Sequence, residues 1–223
     1  MQFLPRSCLR FILFIGVSVI FWQQAPAQDA PSKEAQAREA KGLPPRAGPG
    51  DYQAHAQAGS VTVAAEFTAH SVPTAEATFS TEDYVVVEVG LFGPDGAHLN
   101  VSLADFSLRI NGKKMPMPAQ PYALAFKSMK DPEWSPPAPP EKSKTSIGGG
   151  GGGQNDVPPA PVHMPFELVR AMQQRVQKAA LPEGDRILPV AGLIFFEYRG
   201  SKIQSVELAY SGSAGSATLS LHP

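Results

Sequence analysis

Cysteine is nearly absent: Cys8 stands alone in 223 residues. A single thiol forms no internal disulfide and no multi-thiolate metal centre, so an ordinary apolar core must hold the chain together. An excess of basic residues is also missing. With 19 Lys and Arg against 20 Asp and Glu, the formal charge is −1, and this balance excludes the positive stripe by which a protein holds nucleic acid. Nor is there a comfortable membrane anchor. The apolar run from Phe11 to Trp22 has 12 residues; as a helix it would be about 18 Å long, against about 30 Å for a bilayer's hydrocarbon core.

What that run does fit is export. Arg6 and Arg10 precede it, and Ala25-Pro26-Ala27 follows with small residues at cleavage spacing, the three parts of a secretory signal in order. Residues 1–27 are therefore expected to be a signal peptide, with the working protein starting near Gln28 and secreted or periplasmic. Cys8 precedes the apolar run, so it is not placed to carry a lipid. Without Arg6 and Arg10 the remaining chain has 17 basic and 20 acidic residues, a charge of −3.

Two stretches lack large apolar side chains. From 28 to 59 the chain is rich in Ala, Pro, Gly and charge, with Leu43 and Tyr52 as the main exceptions; such composition predicts a disordered leader. From 131 to 164 it runs through Trp134-Ser-Pro-Pro-Ala-Pro-Pro140 and six glycines at 148–153 into Pro158-Pro159-Ala160-Pro161, which predicts a long flexible loop. The remaining 60–130 and 165–223 together match one ordinary domain, while either half alone would bury too little. One domain over 60–223, interrupted by that loop, is the expectation.

Within it, Val61, Val63, Ala65 and Phe67 alternate with Thr62, Glu66 and Thr68. Val85, Val87, Val89 and Leu91 repeat the pattern beside Tyr84, Val86 and Glu88, and Phe106, Leu108 and Ile110 repeat it again. These are strands with one buried face. Gly93-Pro94-Asp95-Gly96 and Asn111-Gly112 are turn signals. Shorter strands are expected at Leu99 to Val101 and at Tyr122 to Phe126. The period then changes. Val169, Met172, Val176 and Ala179 recur at three and four, predicting an amphipathic helix over 165–180 that Pro182 and Gly184 stop. Strands resume at Val190 to Tyr198, Ser205 to Tyr210 and Gly215 to Leu221. Seven or so antiparallel strands with one helix predict a mainly β fold, a β-sandwich.

Three segments carry a resemblance. Asp83-Tyr-Val-Val-Val-Glu-Val89, Leu103-Ala-Asp-Phe-Ser-Leu-Arg-Ile-Asn-Gly-Lys113, and Leu181-Pro-Glu-Gly-Asp185 leading to Ala191-Gly-Leu-Ile-Phe-Phe-Glu197 resemble the small immunoglobulin-like domains of bacterial secreted proteins and lipoproteins. The likeness spans about two-thirds of the chain after residue 27. It departs from that family in the Pro/Gly-rich stretch and the helix after it. It implies an immunoglobulin-like antiparallel sandwich outside the cytoplasm, and no particular activity.

Catalytic patterns are incomplete. The glycines at 148, 150 and 153 meet G-x-G-x-x-G, but no strand precedes and no helix follows, as phosphate binding requires. Ser211-Gly-Ser-Ala-Gly215 lacks the first glycine of a nucleophile elbow and lies between two strands. Glu82-Asp83, Asp95 and Glu183-Gly-Asp185 lack calcium-loop spacing. Asn100-Val-Ser102 is a glycosylation sequon with meaning only in a eukaryotic secretory pathway. The expectation is a non-enzymatic binding or structural module without a cofactor, engaging protein or cell-envelope partners through a strand edge or the long loop. The alternative is copper or other metal handling. Met115, Met117 and His163 supply the thioether and imidazole groups that suit copper(I), although spacing does not force them together.

Overall fold

The strongest local patterns build the centre of the molecule. In the computed structural model, which describes residues 42–136 and 163–223, β5 (Tyr84–Phe92) and β11 (Val190–Glu197) pair antiparallel, with Val190 opposite Leu91 and Glu197 opposite Tyr84. With β2 (Val61–Ala69) and β1 (Ala54–Ala58) they form one sheet in the order β1-β2-β5-β11. A second sheet has the order β13-β12-β7-β8, from β13 (Gly215–Leu221), β12 (Val206–Gly212), β7 (Phe106–Ile110) and β8 (Met117–Pro118). Strands are numbered in chain order. Alternate residues of both sheets meet in one apolar cluster: Val63, Phe67, Val87, Leu91, Ile194 and Phe196 from the first, Phe106, Leu108, Leu208, Tyr210 and Leu219 from the second. Each such side chain, fully buried, contributes about 1.5–3 kcal/mol.

The first sheet is covered on its other face as well. Val86, Leu193 and Phe195 pack in a second cluster with Met172, Val176 and Ala179 of the helix α2 (Phe166–Ala179) and with Ala125 of the one-turn helix α1 (Tyr122–Ala125). Val72, Phe79 and Met129 join them from a small sheet of β3 (Ser71–Pro73), β4 (Thr78–Thr81) and β9 (Met129–Lys130). Burial on both faces accounts for the unbroken runs Val85-Val86-Val87 and Leu193-Ile194-Phe195-Phe196, which a half-exposed strand would not tolerate. The helix lies where its period predicts it, one residue shorter at each end. Its Met172, Val176 and Ala179 are buried and Val169 is partly so.

A two-stranded ribbon, β6 (His98–Val101) with β10 (Gly184–Ile187), lies at one end of the sheets and sends Leu99 and Val101 into the main core. The chain is thus mainly β, with several antiparallel sheets and one helix of more than a turn among the described residues.

Several expectations change. The leader expected over 28–59 is ordered from residue 42 onward: β1 pairs with β2 from Ala54 opposite Ala65 to Ala58 opposite Val61. Its alternation is of Ala against His and Gln, so no apolar signal marks it. The strand expected at Tyr122 to Phe126 is instead α1 followed by a 3-10 turn, Phe126–Ser128, because the buried Ala125 and half-buried Phe126 pack under the helix and not in a ladder. Thirteen strands replace the expected seven among the described residues; β3, β4, β8, β9 and β10 have too few residues for alternation to show. Of the loop expected over 131–164, residues 131–136 form a turn in which the Trp134 amide donates to the Asp131 carbonyl at 3.2 Å. The expected signal peptide, the leader up to 41 and residues 137–162 of that loop lie outside the described residues.

Candidate functional site

The residues proposed for copper fall on two segments: Met115 and Met117 in the loop and strand after β7, His163 before α2. Met117 pairs with Leu108 on β8 and packs against the core between the two main sheets. Met115 is 82 % exposed. His163 is exposed and precedes α2, which packs on the opposite face of the first sheet.

Most of the candidate carboxylates are engaged singly. Glu82 pairs with Lys130, Asp83 with Arg199 at 3.2 Å, and Asp185 with His98 at 3.2 Å. Glu183 accepts from the Leu103 amide at 3.1 Å. Among the described residues there is no group of three or more His, Cys, Asp or Glu side chains placed to hold a metal ion. The predicted turn at Ser211-Gly212-Ser213-Ala214 joins β12 to β13, with Ser211 and Gly212 still paired and Ser213-Ala214 making the reversal.

The densest buried charge was not foreseen. Arg46 grips Glu88 with two bonds, from Nε at 3.2 Å and Nη2 at 2.9 Å. It also pairs with Glu66 and donates to the Asp51 carbonyl at 2.7 Å. Its guanidinium lies 4.5 Å from the centre of the Tyr52 ring. Tyr52 lies against Gly90, where a Cβ would come within 2.6 Å of its hydroxyl. The hydrogen bonds that Arg46 donates to Glu88 hold it more firmly protonated than usual, partly opposed by burial, and burial pushes the Tyr52 hydroxyl up. This cluster straps residues 43–53 across the outer face of β2 and β5. Every member has a partner within the cluster.

A second polar pair sits near the β12–β13 turn. Above Gly212, a Cβ would meet the Asp105 carboxylate at 2.6 Å and the Tyr210 ring at 2.7 Å. The Tyr210 hydroxyl is buried and makes no hydrogen bond of good geometry among the described residues; the Ala214 backbone interacts with it only weakly. Burial raises the Asp105 carboxyl above its ordinary range; burial, with the Asp105 charge adding to it, does the same to Tyr210.

The edges of the two main sheets are largely guarded. Three bridges cover the free side of β11: Leu43 opposite Ala191, Ala180 opposite Leu193 and Gln120 opposite Phe195. On the far side, β1 and β13 run beside each other. There Gln53 Nε2 donates to the His222 carbonyl at 2.8 Å, and a Cβ on Gly59 would strike the Ala214 carbonyl. β8 ends at Pro118, which has no N–H to offer a new strand.

Exposure concentrates at the ends of the sheets. Residues 111–116, the loop after β7, are all exposed. Asn111 and Gly112 take the left-handed conformation, with φ of 54° and 64°, and the Lys113 amide closes the turn on the Ile110 carbonyl at 3.2 Å. Asn111 also fixes the neighbouring loop: it donates to the Lys202 carbonyl at 2.8 Å and accepts from the Gln204 amide at 2.7 Å. Two open clefts flank this loop and share Lys113. One, of about 620 Å³, is lined by Arg109, Lys114 and His222; the other, of about 570 Å³, by Met117, Tyr198 and Arg199. Lys113 lies 5.3 Å from the Tyr198 ring centre. The sequence marked Asn111-Gly112 as a turn and Met115 as a thioether. It gave no sign that the loop projects, because that depends on β8 being only two residues long.

Compared with protein-family models, curated proteins and solved structures, the chain matches none.

Proposed function

We propose that this chain is an exported, non-enzymatic binding module with an immunoglobulin-like β-sandwich fold, working in the periplasm or outside the cell on a protein or envelope partner. The sandwich reading is supported by the one core that the two antiparallel four-stranded sheets share. Export rests on the composition of residues 1–27, and no described helix is long and apolar enough to cross a membrane.

The observation that carries the binding reading is the exposed loop 111–116 with its two flanking clefts. The loop presents two lysines and an exposed methionine on a turn that Asn111 holds rigid. A preorganised polar and apolar tip of this kind loses little entropy on docking. The test is capture from the host's envelope fraction by the immobilised wild-type protein and by Lys113→Glu/Lys114→Glu. A partner retained by the wild type and lost from the variant supports the reading. Equal retention by both, or none by either, overturns it.

A further inference from the structure

The two ends of the sheets carry opposite charge around a single exposed apolar side chain. Chain direction fixes which residues share an end. The β12–β13 turn lies against Gly59, between β1 and β2, and β2 begins beside the end of β5. β6 follows β5, and Glu183 at the start of β10 holds the Leu103 amide next to Asp105. Asp95, Asp105, Glu183 and Asp185 therefore gather at one end, against Arg186, whose guanidinium is turned onto the Glu183 carbonyl at 2.7 Å. In the ribbon, Ile187 stands opposite His98 and two residues from Asp185, on the exposed face, and is itself 63 % exposed.

At the opposite end β7 finishes, β12 begins and β11 finishes. There Arg109 pairs with Glu207, Arg199 with Asp83 and Glu197, and Lys130 with Glu82. Among the described residues no ion pair joins Lys113, Lys114 or Lys202 to a carboxylate, and Met115, next to Lys114 in the same exposed loop, is 82 % exposed. An apolar anchor inside a charged rim is the anatomy of a small protein interface, and here each end supplies the complement of the other.

We propose that copies of this chain associate head to tail, the Lys113–Met115 loop of one copy docking on the β6–β10 ribbon of the next, on the exposed face that carries Asp185 and Ile187 and beside the turn before β6 that carries Asp95. The inference rests on the binding-module reading and names a partner for it. The contact is heterologous, so it builds open chains unless the rotation between copies happens to close a ring. Its strength depends on ionic strength, because the charged rims are exposed and a Debye length shrinks to about 8 Å near physiological salt.

The experiment is sedimentation velocity on the full protein over a range of concentrations, in about 20 mM and about 300 mM NaCl. The expected result is a sedimentation coefficient that rises with concentration in low salt, with apparent affinity falling about tenfold or more in high salt. Lys113→Glu/Lys114→Glu and Asp95→Lys/Asp185→Lys are each expected to stay monomeric in low salt. Mixed one to one, they are expected to associate again, because one variant has two acidic ends and the other two basic ends. That recovery cannot arise from misfolding. A monomer at every concentration and salt, or association that both reversals leave unchanged, overturns the proposal, as does a mixture that fails to recover. Monomeric behaviour with lysine-dependent capture of a different protein rejects self-association and leaves the binding reading standing. Lysine-dependent retention of the monomer on anionic vesicles alone rejects both.

Discussion

Replacing Arg46 by alanine tests how the segment before β1 is held. The substitution leaves Glu88 without its cation in a site where its side chain is only 10 % exposed, while Glu66, at 37 %, keeps access to water. Removing one partner of a buried ion pair costs about 3–5 kcal/mol. Arg46 is itself 30 % exposed, so solvent can relieve part of the stranded charge, and about 3 kcal/mol is the expected loss. At about 2–4 °C per kcal/mol for a domain of this size, the melting temperature should fall by about 6–12 °C. Thermal and urea unfolding followed by far-UV circular dichroism measure it. Two further readouts identify the cause. Glu88→Gln in the Arg46→Ala background should recover most of the loss by removing the stranded charge. Limited proteolysis at Tyr52 should accelerate, because the strap loses its clamp. A loss below about 1 kcal/mol, the value of an exposed pair, would refute the argument, as would a second substitution that recovers nothing.

Other expected outcomes follow from the same geometry. Asp105 has its carboxyl raised by burial, so its contribution is favourable while it is protonated and is lost as pH climbs through the raised value; Asp105→Asn should raise the melting temperature at neutral pH and lose that advantage in acid. Tyr210→Phe removes a buried hydroxyl that makes no hydrogen bond of good geometry among the described residues, and should cost less than the roughly 1 kcal/mol that deleting a satisfied one costs. Gly192→Ala drives a Cβ into the Leu181 backbone amide at 2.5 Å and the Ala180 carbonyl carbon at 2.8 Å; a destabilisation of about 1–3 kcal/mol by urea unfolding is expected from such overpacking. Titration of the full protein with copper(I) should show no saturable binding that Met115→Leu/Met117→Leu/His163→Ala removes, since His163 stands before the helix that packs on the first sheet while Met115 and Met117 lie in the loop and strand after β7.

Local sequence pattern reached the long elements because their own residues carry the signal. β5 and β11 carry near-continuous apolar side chains over eight or nine residues, and α2 has its buried residues at three and four. Asn111-Gly112 announces a turn because both residues accept positive φ. Where pattern failed, the deciding partner lay far away in the chain. The segment 42–58 looks like a leader, yet Arg46 meets Glu66 and Glu88, Tyr52 fills the space over Gly90, and the small Ala54, Ala56 and Ala58 pack against the main core. None of those fits shows in composition, because a close approach between strands requires small side chains such as these alanines, which leave no strong apolar signal.

The sequence by itself determined that the chain is mainly β, that it carries one substantial helix, and where its long strands lie, because hydrophobic periodicity is a local property. Only the tertiary structure decided that the first sheet is buried on both faces and that its edges are guarded. Only it gathered Lys113, Lys114, Met115 and Lys202 at one end and Asp95, Asp185 and Ile187 at the other. Residues 80 or more positions apart share an end because antiparallel strands return the chain to the same place, and no window along the sequence contains that return.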